Sequence, residues 1–76
     1  MSAPEAEIDA TGLLCPLPVL RLRKRLAALP AGAVVRLLAD DPAAHVDVPH
    51  FCQEQGHELL RAAEEDGAQV YWIRRG

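Results

Sequence analysis

Val19, Leu22, Leu26 and Leu29 recur in steps of three and four, while Arg21, Lys24 and Arg25 fall between them. That spacing predicts an amphipathic helix starting at Pro16, with one apolar stripe and a basic opposite face. Pro30-Ala31-Gly32 stops it. Upstream, the short run around Ile8 reads as a strand, preceded by a loose tail at Met1 to Glu5 and broken by Thr11-Gly12. Downstream, the β-branched and apolar run "AVVRLLA" (Ala33 to Ala39) predicts a strand with Val35 and Leu37 in the core. Asp40-Asp41-Pro42 ends it. A second helix fits Ala43 to Gln55, but Pro49 belongs in a first turn. The main helix is therefore expected to take Asp47 as its cap and to open with Val48 and Pro49. Phe51 and Cys52 then face inward, and Gly56 closes the C-terminus. His57 to Glu65 and Gln69 to Arg75 flank Asp66-Gly67, a strong hairpin signal.

The resulting order is β-α-β-α-β-β. A helix between the first two strands implies a parallel pair, and the terminal hairpin adds antiparallel pairing. Two helices can cover only one face of such a sheet. The expected class is α+β: a two-layer α/β sandwich with a four-stranded mixed sheet.

Composition narrows the picture further. The chain has 76 residues, 50% of them hydrophobic and 25% charged, which is one small globular domain spanning residues 6–76 after the tail. Phe51, Tyr71 and Trp72 are its only aromatics, so Leu, Val and Ala must build the core. A net charge of -3 provides no global attraction to nucleic acid. No apolar run approaches a membrane span, and no signal-peptide pattern opens the chain, so a cytoplasmic location is expected. The two cysteines, Cys15 and Cys52, are too few for a disulfide scaffold. His45, His50 and His57 have no recognised ligand spacing, and no metal site is expected.

The chemistry concentrates in "LLCPLPVLRLRKRLAAL", Leu13 to Leu29. Helix starts normally recruit Ser, Thr, Asp or Asn, yet here Cys15 occupies the N-cap position. Pro16 and Pro18 fix the chain direction beside it, and a helix N-terminus favours thiolate over thiol. Those prolines also remove two N–H groups, which argues against a deeply depressed thiol pKa. A preorganised, exposed thiol is a nucleophile or group carrier; the alternative is a small buried hydrophobe at a helix start. Cys52, beside Phe51 on the apolar side of the second helix, reads as a buried, inert thiol.

The stretches "LCPLPVLRLRK" (Leu14 to Lys24), "ADDPAAHVDVPHFC" (Ala39 to Cys52), "HELL" (His57 to Leu60) and "WIRRG" (Trp72 to Gly76) resemble the TusA/SirA-like sulfur-carrier family. The Cys-Pro-x-Pro tetrapeptide is its signature. The resemblance implies that Cys15 accepts sulfane sulfur from a cysteine desulfurase as a persulfide, with Pro16 and Pro18 as supporting motif. It implies relay to a downstream acceptor protein, most directly toward 2-thiolation of the transfer-RNA wobble uridine, or else into sulfur oxidation or molybdenum-cofactor pathways. No cofactor is required, and a monomer that engages its partners in turn is expected. Arg23, Lys24 and Asp41 match family positions that could meet a partner. Leu17 stands where relatives carry an acidic residue, and Leu14 where they often carry a basic one. The competing reading is a module that binds RNA or protein through Arg21, Arg23, Lys24 and Arg25. Net acidity and the missing surface-aromatic platform count against direct nucleic-acid binding.

Overall fold

The computed structural model describes residues 3–76. Strand β1 (Ala6–Asp9) leads through helix α1 (Leu17–Ala27) to β2 (Val34–Ala39), and helix α2 (Ala44–Gln55) leads to the β3 (Glu58–Glu65) and β4 (Ala68–Arg74) hairpin. The sheet order is β1-β2-β4-β3. β1 runs parallel to β2, and β4 is antiparallel to both β2 and β3. This is the expected α+β sandwich.

Alternation along the strands places Ile8, Val35, Leu37, Tyr71 and Ile73 on one face of the sheet. They join Leu22 and Leu26 of α1 and Val48, Phe51 and Cys52 of α2 in a single core cluster. Val19 and Leu29, the ends of the α1 stripe, pack against its margin. On the opposite face Trp72 lies beside the guanidinium groups of Arg36 and Arg61. Arg36 also bridges Glu7 and Glu65. At the hairpin, Asp66 and Gly67 both take positive φ (52° and 81°), the conformation that Asp-Gly supplies in a tight two-residue turn. Glu5 of the expected loose tail donates its N–H to the Val34 carbonyl (2.8 Å); the rest of that segment at Met1 and Ser2 lies outside the described residues.

Both helix starts differ from expectation. α1 begins at Leu17 with Pro16 as N-cap, so Cys15 sits one residue outside the cap, across a cis peptide bond. The first turn closes through Leu20 N–H to the Pro16 carbonyl (3.1 Å), a geometry that leaves Cys15 in the preceding turn. α2 begins at Ala44, not at Val48, and carries Pro49 in its interior. An interior proline removes one helical hydrogen bond and ordinarily marks a helix start. Here the extra turn is anchored from outside. Asp41 accepts the Ala43 N–H on its side chain (3.1 Å) and the Ala44 N–H on its carbonyl (3.0 Å). Ala44 and Val48 are buried, which gives that turn its own packing. Asp47 is consequently an intrahelical residue and caps nothing. Gly56 closes α2 at φ 73°, as expected, with the His57 N–H reaching back to the Cys52 carbonyl (2.9 Å).

Candidate functional site

The turn bearing Cys15 hangs between β1 and α1, and two adjacent carboxylates pin it. Asp40 accepts the Gly12 N–H (3.0 Å), and Asp41 accepts the Cys15 N–H (2.5 Å). Because Asp41 also holds the first residues of α2, one side chain fixes the thiol-bearing backbone relative to the second helix. Asp41 is itself located by a buried relay. The Tyr71 hydroxyl donates to Gln69 Oε1, and Gln69 Nε2 donates to the Asp41 carbonyl (2.8 Å). Gln69 is only 6% exposed, so its amide needs both partners to avoid an unsatisfied polar group in the core.

Cys15 is exposed and reduced. It stands at one end of an open groove of about 250 Å³ between α1 and α2, lined by Pro16, Val19 and Phe51 on the apolar side and by Asp47, His50 and Glu54 on the polar side. His50 and Glu54 pair with each other one helical turn apart. The thiol pKa is raised, contrary to the expectation from a helix N-terminus. Hydrogen bonding to the Asp47 carboxylate is the main cause, followed by desolvation and then the negative charges of Asp47 and Asp41. The reversal has a simple origin: Pro16 and Pro18 carry no N–H, the Cys15 N–H is occupied by Asp41, and carboxylates face the sulfur.

On its other side Cys15 borders an apolar collar. Leu14 is 70%, Leu17 49% and Leu20 48% exposed, and Leu13, Leu17 and Leu20 share a hollow with Arg21 and Lys24. Arg23 faces elsewhere, lining a hollow with Phe51, His57 and Arg75. The structure therefore brings Asp41 to Cys15 and sends Arg23 and Lys24 to different sides of α1. Pro18 is buried against the core, while Pro16 walls the groove. Cys52 is buried, and burial pushes its thiol up to about 11. Sequence reasoning missed Asp40 as the acceptor for Gly12 of the turn, Asp47 in the groove with Cys15, and Gln69 holding the Asp41 carbonyl. Asp47, His50, Phe51 and Glu54 do fall on one helical face by spacing, and Gln69 shares strand parity with Tyr71 and Ile73. Among the described residues no cluster of three His, Cys, Asp or Glu side chains is arranged to hold a metal ion, and no helix is long and apolar enough to cross a membrane.

The family model described as sulfurtransferase TusA matches residues 6–75. A sulfur carrier protein TusA of Pseudomonas putida (strain W619) is 47% identical over 72 residues, covering 95% of this chain and 90% of the relative. A second, from Pseudomonas entomophila (strain L48), is 49% identical over 71 residues, covering 93% and 89%. Among solved structures, the crystal structure of a SirA-like protein from Desulfitobacterium hafniense superposes with a TM-score of 0.83 at 34% identity, over 93% of this chain and 97% of that one.

Proposed function

This chain belongs to the TusA sulfurtransferase family, and we propose that it is a sulfur carrier in which Cys15 alternates between thiol and persulfide. The Cys15 sulfur attacks the outer sulfur of a donor persulfide, such as that of a cysteine desulfurase. The donor S–S bond breaks, the donor leaves as a thiol, and Cys15 holds the transferred sulfur. An acceptor thiol then attacks that outer sulfur and regenerates Cys15. Each step is a thiol exchange with no net oxidation, so neither metal nor cofactor takes part. The acceptor is a further protein, and the pathway that the family resemblance implies is 2-thiolation of the transfer-RNA wobble uridine.

The observation that carries this reading is an exposed sulfur on a backbone pinned by Asp40 and Asp41. In-line exchange needs access from outside for two different proteins in turn, and a pinned turn beside an open groove supplies it. The leucine collar offers each partner an apolar landing area, with Lys24 and Arg21 at its rim to select acidic surfaces. Arg23 extends the contact on the far side of α1. Asp41 acts through the Cys15 turn that it holds.

Incubation with a cysteine desulfurase, its cofactor and free cysteine, followed by intact-mass analysis, tests the proposal. One added sulfur is expected on the wild type and on Cys52→Ala, and none on Cys15→Ser. Loading that persists in Cys15→Ser, or is absent from the wild type with several desulfurases, overturns it.

A further inference from the structure

The sheet ends on β1 at one side and on β3 at the other, and the two edges differ. The β3 register breaks between Leu59 and Arg61, and the strand carries Glu58, Glu64 and Glu65, so that edge is irregular and acidic. β1 keeps an unbroken register with β2 from Ala6 to Asp9. Alternate residues of such an edge strand turn their N–H and C=O groups away from their neighbour. Between β1 and α1 runs a groove of about 500 Å³ lined by Glu7, Ile8, Asp9, Arg21, Lys24 and Arg25. Ile8 points into the core while Glu7 and Asp9 alternate to the opposite face, so a groove touching all three follows the edge of the strand. The helix already reaches this backbone, because Arg21 Nη1 donates to the Asp9 carbonyl (3.0 Å). The strand's own acids are engaged elsewhere. Glu7 pairs with Arg36, and the Asp9 carboxylate accepts the Thr11 N–H (3.0 Å) and hydroxyl (2.6 Å). Lys24 and Arg25 form no ion pair among the described residues.

We propose that this groove receives an extended acidic segment of a partner protein, which adds as a strand to the outer edge of β1 and sets its carboxylates against Arg21, Lys24 and Arg25. The inference goes beyond the carrier reading and does not depend on the Cys15 sulfur. Backbone pairing supplies affinity, and the three cations choose an acidic segment. A nucleic-acid strand has no alternation of N–H and C=O to match the edge, and the net charge of -3 disfavours it. Arg21 and Lys24 also border the leucine collar, so the groove continues from the surface beside Cys15. Arg23 lines the hollow with Phe51 and His57 instead and takes no part.

The probe is a short peptide alternating glutamate and valine, blocked at both ends. It is titrated at low salt into isotope-labelled full-length Cys15→Ser and followed by nuclear magnetic resonance. The amide resonances of Ala6 to Asp9 should shift together with those of Lys24 and Arg25, with a Kd of about 1 mM or tighter. At saturation the outward amides of β1 should exchange with solvent about threefold or more slowly. The same peptide N-methylated at every internal amide, which can donate no backbone hydrogen bond, should bind about fivefold or more weakly. Arg25→Gln in the Cys15→Ser background should weaken the unmodified peptide about threefold. A peptide alternating lysine and valine should leave the β1 amides unmoved.

β1 amides that do not shift at about 5 mM peptide overturn the site. Equal binding of the N-methylated peptide overturns strand addition, and equal binding by folded Arg25→Gln overturns the part given to the cations. A single-stranded oligothymidylate that shifts the same amides at lower concentration than the peptide overturns the choice of a protein segment. Should Arg25→Gln not fold, Lys24→Gln takes its place, and rising salt must weaken the peptide in Cys15→Ser; indifference to salt overturns the charge pairing. A merely local role for Lys24 and Arg25 at the end of α1 would change the urea midpoint and leave the peptide unbound. Every titration uses Cys15→Ser and sulfur loading is scored separately, so loss of the carrier reading and loss of this site remain distinguishable.

Discussion

Cys15 stands on a pinned surface turn at the head of α1, whereas Cys52 lies in α2 and is buried in the core. Both thiols are held toward the neutral form, by different physics. At Cys15 the main cause is hydrogen bonding to Asp47, followed by desolvation and then nearby negative charge, at a position exposed to solvent. At Cys52 the cause is burial, which lifts its pKa to about 11. Charge can be screened by salt or neutralised by a partner; burial is reversed only by opening the core. A raised thiol pKa is therefore compatible with the proposed sulfur-carrying role at one position and with inertness at the other. Access and the removability of the cause separate them.

The sharpest way to break that comparison is native alkylation. At pH 8 in the folded protein, iodoacetamide should modify Cys15 about 100-fold faster than Cys52, with site assignment by peptide mass. In urea above the unfolding transition the two rates should converge to within a factor of about three. Comparable native rates would mean that the helix bearing Cys52 opens readily, and the contrast would fail.

Next in size is the anchoring of the turn. Asp41→Ala removes the acceptors for the Cys15 and Ala43 N–H groups together, and should cost about 2 kcal/mol in urea unfolding. Backbone amide exchange at Cys15 should accelerate while the amides of β4 stay protected. Tyr71→Phe, which strips the donor from Gln69 Oε1 in the core, should cost about 1 kcal/mol. Its effect on sulfur loading should be weaker than that of Asp41→Ala, because it reaches the turn only through Gln69 and Asp41. Cys52→Ala leaves a small void in the core and should also cost about 1 kcal/mol, with sulfur loading intact.

The same contrast marks what was legible in the sequence. Local and periodic signals carried through: the α1 stripe, the strand cores at Val35 and Leu37, the Asp66-Gly67 turn and the Gly56 stop all describe contacts set by near neighbours. They suffice for the fold, and for the burial of Cys52. The surroundings of Cys15 depend on side chains far along the chain. Asp40 and Asp41 read as turn chemistry after a strand, yet their carboxylates serve backbone N–H groups before α1. Pro49 read as a helix start because a local rule cannot see that Asp41 anchors an additional turn. Once α2 begins at Ala44, Asp47 moves from a capping position to the wall of the groove. The misplaced start of α2 thus hid the part of the thiol shift that comes from Asp47, while desolvation and the charge of Asp41 add to it independently of that helix start.

The smallest effect lies on the Cys52 side. His57 packs its ring on Phe51 (centroids 5.5 Å apart) and accepts the Gly76 N–H on Nδ1 (2.9 Å), an arrangement that needs the neutral imidazole. Desolvation, and then the charge of Arg75, lower its pKa from the ordinary 6.5. The sign follows directly. On acidification the unfolded chain takes up this proton first, so it binds more protons than the folded one between the folded pKa and 6.5. The contribution of His57 is fully present above 6.5 and is lost as pH falls through the folded value. Urea-derived stability measured from pH 7.5 to 5 should therefore decline more steeply in the wild type than in His57→Gln, which cannot gain that charge. Nuclear magnetic resonance titration should place the His57 midpoint below 6.5. Acid acting through His57 should loosen its packing on Phe51 and leave the Asp41-pinned turn in place, because among the described residues no hydrogen bond joins His57 to that turn. Equal slopes in both proteins, or a His57 midpoint at or above 6.5, would show that the ring is solvated in the folded chain.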